Sequence, residues 1–402
     1  MAATQNQYSL SKGLDKATDS SGAPPLPPPF EATLLVTYPL WPPSLIDELR
    51  KRFRTLHFWP MASGTDYSGR QPPPPPDHVL READILFSFG VPSNLVDVVQ
   101  TPKLKLVQLV GSGSTQVTTS SFWKTVTPEL DIKLCNSAGI HQNPIGEHII
   151  MTMLMLLHKM PLVTHFTSGE HRWPGPADLA PKSGGLLNSE IRGQTIGILG
   201  YGHIGREAAR LAHAFGARII ACTRSGKRAS LDSLYAGMGD PEGQLPVQWF
   251  SSTEPKATDE FVRQCDVLVN LLPSSPENVN FLDRRRLELM KNTAILVNVG
   301  RGDTVDQDAL VQALKAGAEH DYALTETSAA ELRIAGASLD VTSPEPLPNG
   351  HELFKLPNAI ITAHTSFASL KNFERACEFL YRNVDKLMNG EPLMNVLNAK
   401  RS

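Results

Sequence analysis

A glycine string between an apolar strand and a helix constrains this chain more than any other feature. Gly200–Gly205 directly follows Thr195–Leu199, which is predicted to be a buried strand, and opens a helix predicted over Ile204–Phe215. In a G-x-G-x-x-G turn the first glycine permits the tight turn, the second lets the backbone approach a pyrophosphate, and the third lets helix and strand pack closely. The helix N-terminus then offers free N–H groups to the phosphates. The pattern predicts a dinucleotide site, with a ligand-free glycine turn as the alternative. The predicted site residues are Gly200, Gly202, His203, Ile204 and Gly205.

The end of the next predicted strand bears on which dinucleotide is bound. NAD-selective sites place an acid there, which accepts a hydrogen bond from the ribose 2′-hydroxyl. Here Arg218–Ala221 is followed by Thr223, Arg224 and Ser225, without an acidic residue. An arginine can pair with a 2′-phosphate instead, helped by neighbouring hydroxyls. We therefore expect NADP in preference to NAD; NAD and a plain solvated basic loop remain the alternatives.

Three polar residues follow other predicted apolar strands. Arg301 comes just after one strand, Glu345 after a second and His364 after a third. Open α/β sheets bind their ligands at the carboxyl ends of the strands, so these positions favour catalysis. Taken alone, each residue type more often has a structural role. An arginine after a strand usually forms a surface ion pair, a glutamate between prolines is usually a solvated loop residue, and a lone histidine is more often structural than catalytic. Their joint occurrence after a dinucleotide loop predicts that Arg301, Glu345 and His364 are catalytic.

Predicted strands alternate with helices along the chain, which indicates parallel sheets covered by helices on both faces. The helices include one capped by Ser44 that runs to Phe53, one from Asn143 to Met160 that Pro161 stops, and one over Leu370–Met388. The expected strands are Thr33–Thr37, Leu56–Trp59, Asp84–Ser88, Lys105–Val110 and Ile132–Cys135, then Thr195–Leu199, Arg218–Ala221, Asp266–Leu271, Thr293–Val297, Ala335–Asp340 and Ile360–Ala363. The predicted fold class is α/β, with two doubly wound parallel-sheet domains.

The bulk composition narrows the class of protein. The 402 residues suffice for two or three domains, and a formal net charge of −3 indicates neither a nucleic-acid partner nor a membrane surface. The four cysteines lie far apart, which suggests neither a metal site nor a disulfide framework and fits a cytoplasmic location. Residues 1–30 are polar and end in prolines, so we expect a disordered tail. Pro72–Pro76 is expected to be an extended surface loop.

From about residue 84 to 398 the sequence resembles the D-isomer-specific 2-hydroxyacid dehydrogenases. The resemblance rests on the glycine loop and on several short motifs in a fixed order. The motifs are Asn136–Gly139, Gly146–His148, Asn298–Gly302, Asp340–Pro346, Ala363–Ser366 and Met388–Pro392. It implies an NAD(P)-dependent oxidoreductase that interconverts a small 2-oxo acid and its D-2-hydroxy acid.

The resemblance also implies a role for each matching residue. Arg301 would bind the substrate carboxylate and polarise the 2-oxo group, and His364 would give a proton to the carbonyl oxygen. Glu345 would hold the imidazole and favour its charged form, and Asp340 would lie near the nicotinamide carboxamide. Other residues would line the two ligand sites: Ser112 and Gly113 bind the substrate carboxylate through their backbone, and Leu272, Pro273 and Val299 border the cofactor.

The chain departs from the family pattern at several places. His141 stands where the family often has Asn, and Thr115-Gln116 replaces the usual Asp-His or Asp-Asn. A polar insertion around Ala318–Arg333 lengthens the spacing between Arg301 and Glu345, and we expect it at the sheet edge opposite the site. A second long segment, Ala236–Pro255, is expected to border the adenine.

The family implies a substrate domain of flavodoxin-like order, split into residues 31–140 and 366–402 around a Rossmann dinucleotide-binding domain at 141–365, and a homodimer. A glyoxylate or hydroxypyruvate reductase is favoured because the chain stops after the core, whereas phosphoglycerate dehydrogenases often carry a regulatory domain; a phosphoglycerate dehydrogenase-like enzyme stays an alternative. Glu345 argues against formate dehydrogenase, which has Gln there. The alternative of another class is a dinucleotide-sensing corepressor-like binding protein.

Overall fold

The computed structural model describes residues 29–60, 73–179, 188–231, 237–319 and 332–398. Their contacts divide the chain into two units. The first unit contains the described residues up to Leu109, then Ser114–Cys135, and those from Arg382 onward; the second contains Val110–Gly113 and Asn136–Tyr381. The assignment of a substrate-binding and a cofactor-binding role to these units stays a prediction.

The first unit is built on a five-stranded parallel sheet. Its strands are β1 (Phe30–Val36), β2 (Phe53–Phe58), β3 (Ile85–Ser88), β4 (Leu106–Leu109) and β5 (Lys133–Cys135). Its helices are α1 (Ser44–Arg52), α2 (Asp77–Glu82), α3 (Thr115–Thr118) and α4 (Ser121–Thr125), with short 3₁₀ turns at Val98–Gln100 and Pro128–Leu130. The strand order β2-β1-β3-β4-β5 is the flavodoxin-like order. Every strand pair in the sheet is parallel.

The second unit is built on a seven-stranded parallel sheet. Its strands are β6 (Thr195–Leu199), β7 (Arg218–Thr223), β8 (Pro246–Ser251), β9 (Val267–Asn270), β10 (Ile295–Asn298), β11 (Gly336–Leu339) and β12 (Ala359–Ile361). The helices are α5 (Gln142–Leu157), α6 (Met160–Thr164), α7 (Pro176–Leu179), α8 (His203–Ala214), α9 (Pro255–Gln264), α10 (Arg284–Glu288), α11 (Gln307–Glu319) and α12 (Lys371–Met388), whose last turns fall in the first unit. A π-helical turn occupies His165–Gly169, and 3₁₀ turns occupy Gly302–Thr304 and Glu352–Lys355.

The strand order of this sheet is β12-β11-β10-β9-β6-β7-β8, and it reverses direction at β6. Such an order is that of a doubly wound dinucleotide-binding fold, with its ligand crevice where the order reverses. Successive side chains of one strand enter two different hydrophobic cores: Val267 and Val269 of β9 face one core, and Leu268 faces the other. Because both faces are covered, the strands are continuous apolar runs rather than alternating ones. The α/β class with two doubly wound parallel sheets is confirmed.

Several predicted boundaries were wrong. β1 begins at Phe30, whose buried ring contacts Phe53, so the folded part starts before residue 31. The first helix was predicted to have Ser44 as its cap and to run to Phe53. In the structure Pro43 is the cap and Ser44 is the first residue of α1. The helix ends at Arg52 because Phe53 already begins β2. Strand β8 was not predicted at all; it lies inside the segment expected to border the adenine.

The long helix predicted from Asn143 to Met160 also has different ends. α5 starts at Gln142, its cap is His141 rather than Asn143, and it ends at Leu157. Lys159 adopts a left-handed conformation with φ 54°, which terminates the helix. Pro161 then lies in the first turn of α6, where a missing N–H costs nothing.

Three further predictions concern residues outside the described part. They are residues 1–28 of the proposed tail, Pro72 of the proline run and residues 320–331 of the insertion. No single described helix has the length and hydropathy to cross a membrane; α5 and Met160–Gly169 reach that threshold only as a pair, bent by 72°. In the described ranges no three His, Cys, Asp or Glu side chains group as metal ligands would.

Candidate active site

Apart from the turn after β7 and the turn after β4, the predicted site residues of the second unit follow five adjacent strands of one sheet. Neighbouring strands β6, β9, β10, β11 and β12 are parallel, so their carboxyl ends meet at the same sheet edge. Asn270, Asn298, Leu339 and Ile361 lie in one register row at that edge. Parallel strands are about 4.8 Å apart, which brings the residues after them close together.

The glycine loop has the geometry that a pyrophosphate requires. Gly200 has φ +101°, a conformation that side chains disfavour, and its N–H donates to the carbonyl of Cys222 at 2.9 Å. A Cβ on Gly205 would lie 2.5 Å from the Gly200 carbonyl oxygen, so this glycine permits close packing of helix and strand. No described atom lies within 4 Å of a Cβ built on Gly202, which caps α8. Open space at Gly202 beside a helix N-terminus fits a bound dinucleotide.

The turn after β7 carries the residues that we predicted for cofactor selection. The backbone of Arg224 is fixed because its carbonyl accepts hydrogen bonds from the hydroxyls of Ser251 at 3.0 Å and Thr253 at 3.4 Å. Its side chain is exposed, and no described residue forms an ion pair or hydrogen bond with the guanidinium. The Thr223 hydroxyl accepts from the N–H of Gly226, and the Ser225 hydroxyl accepts from the N–H of Lys227. The turn thus presents a cation in a defined backbone conformation.

Two glycines fix the position of Arg301. A Cβ on Gly300 would lie 2.6 Å from the Leu272 carbonyl oxygen, and a Cβ on Gly302 would lie 2.0 Å from the carbonyl oxygen of Thr342. The loop after β10 therefore passes between the chain segments that follow β9 and β11. The exposed side chain of Arg301 donates to the carbonyl of Gly300 at 2.6 Å and joins no described acid in an ion pair.

A buried polar network, which was not predicted from the sequence, stabilises the backbone of the loop that carries Arg301. Asn270 donates to the Asn298 side chain at 3.1 Å and to the Thr304 hydroxyl at 2.7 Å. Asn298 and Thr304 in turn donate to the carbonyl of Arg301 at 3.2 and 2.6 Å. All three side chains are essentially inaccessible to solvent, so losing one partner would leave another unsatisfied at a cost of about 1–3 kcal/mol. The available signal in the sequence was that β9 and β10, which are otherwise apolar, each end in an Asn.

His364 and Glu345 form a close pair. The Nδ1 atom of His364 lies 2.6 Å from the Oε1 atom of Glu345, and the two side chains are 40% and 41% exposed. A carboxylate accepts hydrogen bonds only, so Nδ1 carries a proton and Nε2 is left to exchange one. This arrangement can perform general acid–base chemistry at a partly exposed position.

Asp340 organises the turn that carries His364. Its buried carboxylate accepts from the Thr362 hydroxyl at 2.7 Å and from the N–H groups of Thr365 and Ser366 at 2.9 and 3.1 Å. The carbonyl of Asp340 accepts from the N–H of His364 at 2.7 Å. These bonds stabilise the left-handed conformation of His364, with φ 55°, which would otherwise be strained. In this structure Asp340 is bonded within the protein, and its expected role near the carboxamide stays a prediction.

One aromatic ring links His364 to His141. Phe367 contacts both imidazoles edge-on, with ring centroids 5.9 Å from His364 and 5.5 Å from His141. The pKa of His141 is lowered to about 4, mainly by burial and also by the charge of Arg375, although a hydrogen bond between its ring and the Asn372 side chain acts in the opposite direction. The departure at His141 therefore introduces a neutral imidazole near the candidate acid.

The remaining predicted residues occupy two environments. Ser112 and Gly113 are exposed, and the Ser112 carbonyl accepts from the Asn136 side chain at 2.7 Å, which anchors the turn. Pro273 is exposed, whereas Leu272 and Val299 are buried in the two cores of the sheet. That these five line the ligand sites beside Arg301 and His364 stays a prediction.

The fold and the chemistry of this edge define a dinucleotide-dependent oxidoreductase. Comparison with known proteins is more specific. Residues 150–366 match the model of the D-isomer-specific 2-hydroxyacid dehydrogenase NAD-binding domain. A glyoxylate reductase from Aeropyrum pernix is 28% identical over 371 residues, which cover 91% of this chain and 96% of the relative.

Solved structures share the fold over nearly the whole chain. A D-isomer-specific 2-hydroxyacid dehydrogenase from Lactobacillus delbrueckii ssp. bulgaricus, in its NAD-complexed form, is 20% identical with a TM-score of 0.67, over 91% of this chain and 99% of that one. An NADPH-dependent glyoxylate/hydroxypyruvate reductase from Sinorhizobium meliloti, in complex with NADP and sulfate, is 21% identical with a TM-score of 0.62, over 92% and 98% of the two chains. This chain belongs to the D-isomer-specific 2-hydroxyacid dehydrogenase family.

Proposed function

We propose that this enzyme reduces a small 2-oxo acid of the glyoxylate or hydroxypyruvate type to its D-2-hydroxy acid, with NADPH favoured over NADH. The contact between His364 and Glu345 carries the proposal, since it leaves one imidazole nitrogen available for proton exchange at the carboxyl edge of a dinucleotide-binding sheet. In the reduction, His364 gives its Nε2 proton to the oxygen of the 2-oxo group. In the oxidation it takes that proton back.

The other residues bind and orient the substrate. Arg301 binds the carboxylate, for which a planar guanidinium fork is well suited, and polarises the neighbouring carbonyl. Its exposed side chain on a rigid backbone is consistent with that role. The backbone of Ser112 and Gly113 adds further donors to the carboxylate. The dinucleotide, when bound, supplies the hydride.

The preference for NADPH depends on the turn after β7. Arg224 has a fixed backbone and a guanidinium with no described ion pair or hydrogen bond, and the turn itself contains no acid to accept from a ribose 2′-hydroxyl. The Sinorhizobium reductase was solved with NADP and the Lactobacillus enzyme with NAD, so relatives of this fold bind either dinucleotide. Arg224 supports NADP for this chain.

A panel of 2-oxo acids tests the proposal. Glyoxylate, hydroxypyruvate, pyruvate and 3-phosphohydroxypyruvate are each assayed with NADPH and with NADH, and dinucleotide binding is measured separately by fluorescence. We expect the highest kcat/KM for glyoxylate or hydroxypyruvate with NADPH. Turnover of the phosphorylated substrate alone would instead indicate a phosphoglycerate dehydrogenase-like enzyme. Tight dinucleotide binding without turnover of any acid would indicate a corepressor-like binding protein. The homodimer and the cytoplasmic location stay predictions.

A further inference from the structure

After the turn at 224–228, the connection between β7 and β8 contains two described stretches, 229–231 and 237–245, which we call the two arms of one segment. These arms are bonded to the glycine loop and to the helix that follows it. Four side chains make this connection, which we call the Tyr201 cluster: Tyr201, Arg206, Glu207 and Asp240. Each is between 3% and 7% exposed. Burying so many polar and charged groups is costly unless all are well paired, so the cluster merits a functional explanation.

Arg206 bonds to both arms of the segment. Its Nη1 donates to the carbonyls of Asp240 and Pro241 at 2.5 and 3.2 Å, and its Nη2 donates to the carbonyl of Ala229 at 2.7 Å. The N–H of Leu231 also donates to the Pro241 carbonyl at 2.8 Å, which ties the two arms together. Both arms are thus fixed to the first turn of α8.

Asp240 connects the segment to the glycine loop itself. Its carboxylate accepts from the Tyr201 hydroxyl at 2.7 Å and from the N–H groups of Gln244 and Leu245 at 2.8 and 3.0 Å. Burial raises the pKa of Tyr201, and the hydrogen bond to Asp240 raises it further, so the hydroxyl stays protonated as a donor. Glu207 adds a bond by accepting from the N–H of Gly239 at 2.7 Å.

The same segment borders the turn that we assign to cofactor selection. Arg228 donates through Nε to the carbonyl of Glu242 at 2.6 Å, which ties the far side of the turn to the segment. On the near side, a Cβ at Gly226 would lie 2.8 Å from the backbone nitrogen of Ser251, and Ser251 donates to the carbonyl of Arg224. Residues 224–228 are therefore held between the end of β8 and a segment that the Tyr201 cluster fixes.

We propose that the Tyr201 cluster positions this basic turn for a 2′-phosphate and thereby sets the preference of the enzyme for NADPH over NADH. The inference depends on the proposed function, because it presumes that Arg224 contacts the 2′-phosphate. Tyr201, Arg206 and Asp240 are positioning residues in this account. They act through the backbone of residues 224–228. NADH has no 2′-phosphate to contact this turn, so its binding depends less on the position of that backbone.

Two conservative variants of the full chain test the inference. Tyr201→Phe removes one hydroxyl and keeps the ring, and Asp240→Asn keeps the size of the side chain. The Kd of NADPH and of NADH is measured by fluorescence for each variant, together with Tm. We expect the Kd of NADPH to rise about fivefold or more, the change that loss of one hydrogen bond of about 1 kcal/mol produces, and that of NADH to change less than about twofold.

Asp259→Asn is the matched control. This carboxylate receives both Nη atoms of Arg285, at 2.7 and 2.9 Å, in the same unit but on α9. It should lower Tm and leave the ratio of the two Kd values unchanged, so a general loss of stability is separated from a loss of selectivity.

The outcomes separate the inference from the proposed function. If the wild-type chain binds NADPH more tightly than NADH and both variants keep the wild-type ratio, the inference is wrong and the proposed function stands. A parallel weakening of both dinucleotides would also overturn it, because the cluster would then act on the glycine loop alone. If the wild-type chain does not favour NADPH, the inference fails together with the cofactor preference, whereas the 2-oxo acid panel still decides the proposed activity. Should Asp240→Asn not fold, Tyr201→Phe decides by itself.

Discussion

Glu345 Oε1 lies 2.6 Å from His364 Nδ1, although the two residues belong to loops that follow different strands. The pair is held from both sides: Asp340 bonds to the turn that carries His364, and the Ser343 N–H donates to the Gln307 side chain at 3.0 Å. A carboxylate in this position fixes the orientation and the tautomer of the imidazole, as an acid–base catalyst requires.

Replacing Glu345 by Gln tests this orientation. The amide can present either its oxygen or its NH₂ group to Nδ1, and the NH₂ group would favour the tautomer with its proton on the wrong nitrogen. We expect kcat to fall at least about 100-fold while the Kd of the dinucleotide stays within about twofold. Steady-state kinetics and fluorescence titration measure the two quantities. An unchanged kcat would show that the carboxylate is dispensable.

Replacing Arg224 by Ala tests the cofactor assignment. A charge-assisted hydrogen bond contributes about 1.5–3 kcal/mol, so the Kd of NADPH should rise about 10- to 100-fold and that of NADH less than about twofold. Arg218→Ala is the control, since this exposed arginine lies at the opposite end of the same strand. Equal losses for both dinucleotides in Arg224→Ala would refute the 2′-phosphate role.

Two glycine substitutions should have opposite effects on stability and binding. In Gly302→Ala the new methyl would meet the Thr342 carbonyl oxygen, so the loop around Arg301 must shift. Overpacking of this kind costs about 1–3 kcal/mol, and we expect a clear drop in Tm.

In Gly202→Ala the new methyl meets no described atom, so Tm should stay near the wild-type value. Dinucleotide binding should weaken, because the methyl occupies the space through which the pyrophosphate approaches the backbone. Thermal unfolding and fluorescence titration distinguish the two; normal dinucleotide binding by Gly202→Ala would contradict the assignment of the loop.

Much of the fold followed from local patterns in the sequence. The apolar runs of β6, β9 and β10 end in glycine or polar residues, and buried parallel strands have that signature. Strand β8 escaped prediction because Pro246 begins it at the sheet edge, where it pairs only with β7. The end of α5 was not predicted because it depends on the left-handed conformation of Lys159. A glycine is the usual sequence sign of that conformation, and none stands at this position.

Part of the candidate site could likewise be predicted from the sequence, and part of it could not. Gly200, Arg301 and His364 stand in short motifs directly after strands, so their shared edge could be predicted. The bond from Tyr201 to Asp240 spans 39 positions, and the bond from Asn270 to Thr304 spans 34. Contacts of this range are set by the packed fold and leave no periodic pattern in the sequence. A polar residue closing an apolar strand was the one available sign.

His141 predicts a dependence of stability on pH. Its pKa is about 4 in the folded chain against an ordinary value of 6.5, so the unfolded chain binds the additional proton between these values. Stability is therefore complete above about pH 6.5, falls as the pH drops toward 4, and loses up to about 3 kcal/mol in that window.

Comparing the wild-type chain with His141→Asn isolates this contribution, since the other histidines titrate in both proteins. Urea unfolding at several pH values should show the wild-type chain losing more stability than the variant between pH 6.5 and 4. Parallel curves for the two proteins would mean that His141 is not buried as a neutral ring.

Substituting His364 by Ala tests the central claim most directly. The measurement is kcat with NADPH and the best 2-oxo acid of the panel, beside the Kd of NADPH and the Tm of the same variant. We predict that kcat falls at least about 100-fold while NADPH still binds and the chain stays folded, because the proton donor alone is removed. Turnover near the wild-type rate in a folded, NADPH-binding variant would contradict the account.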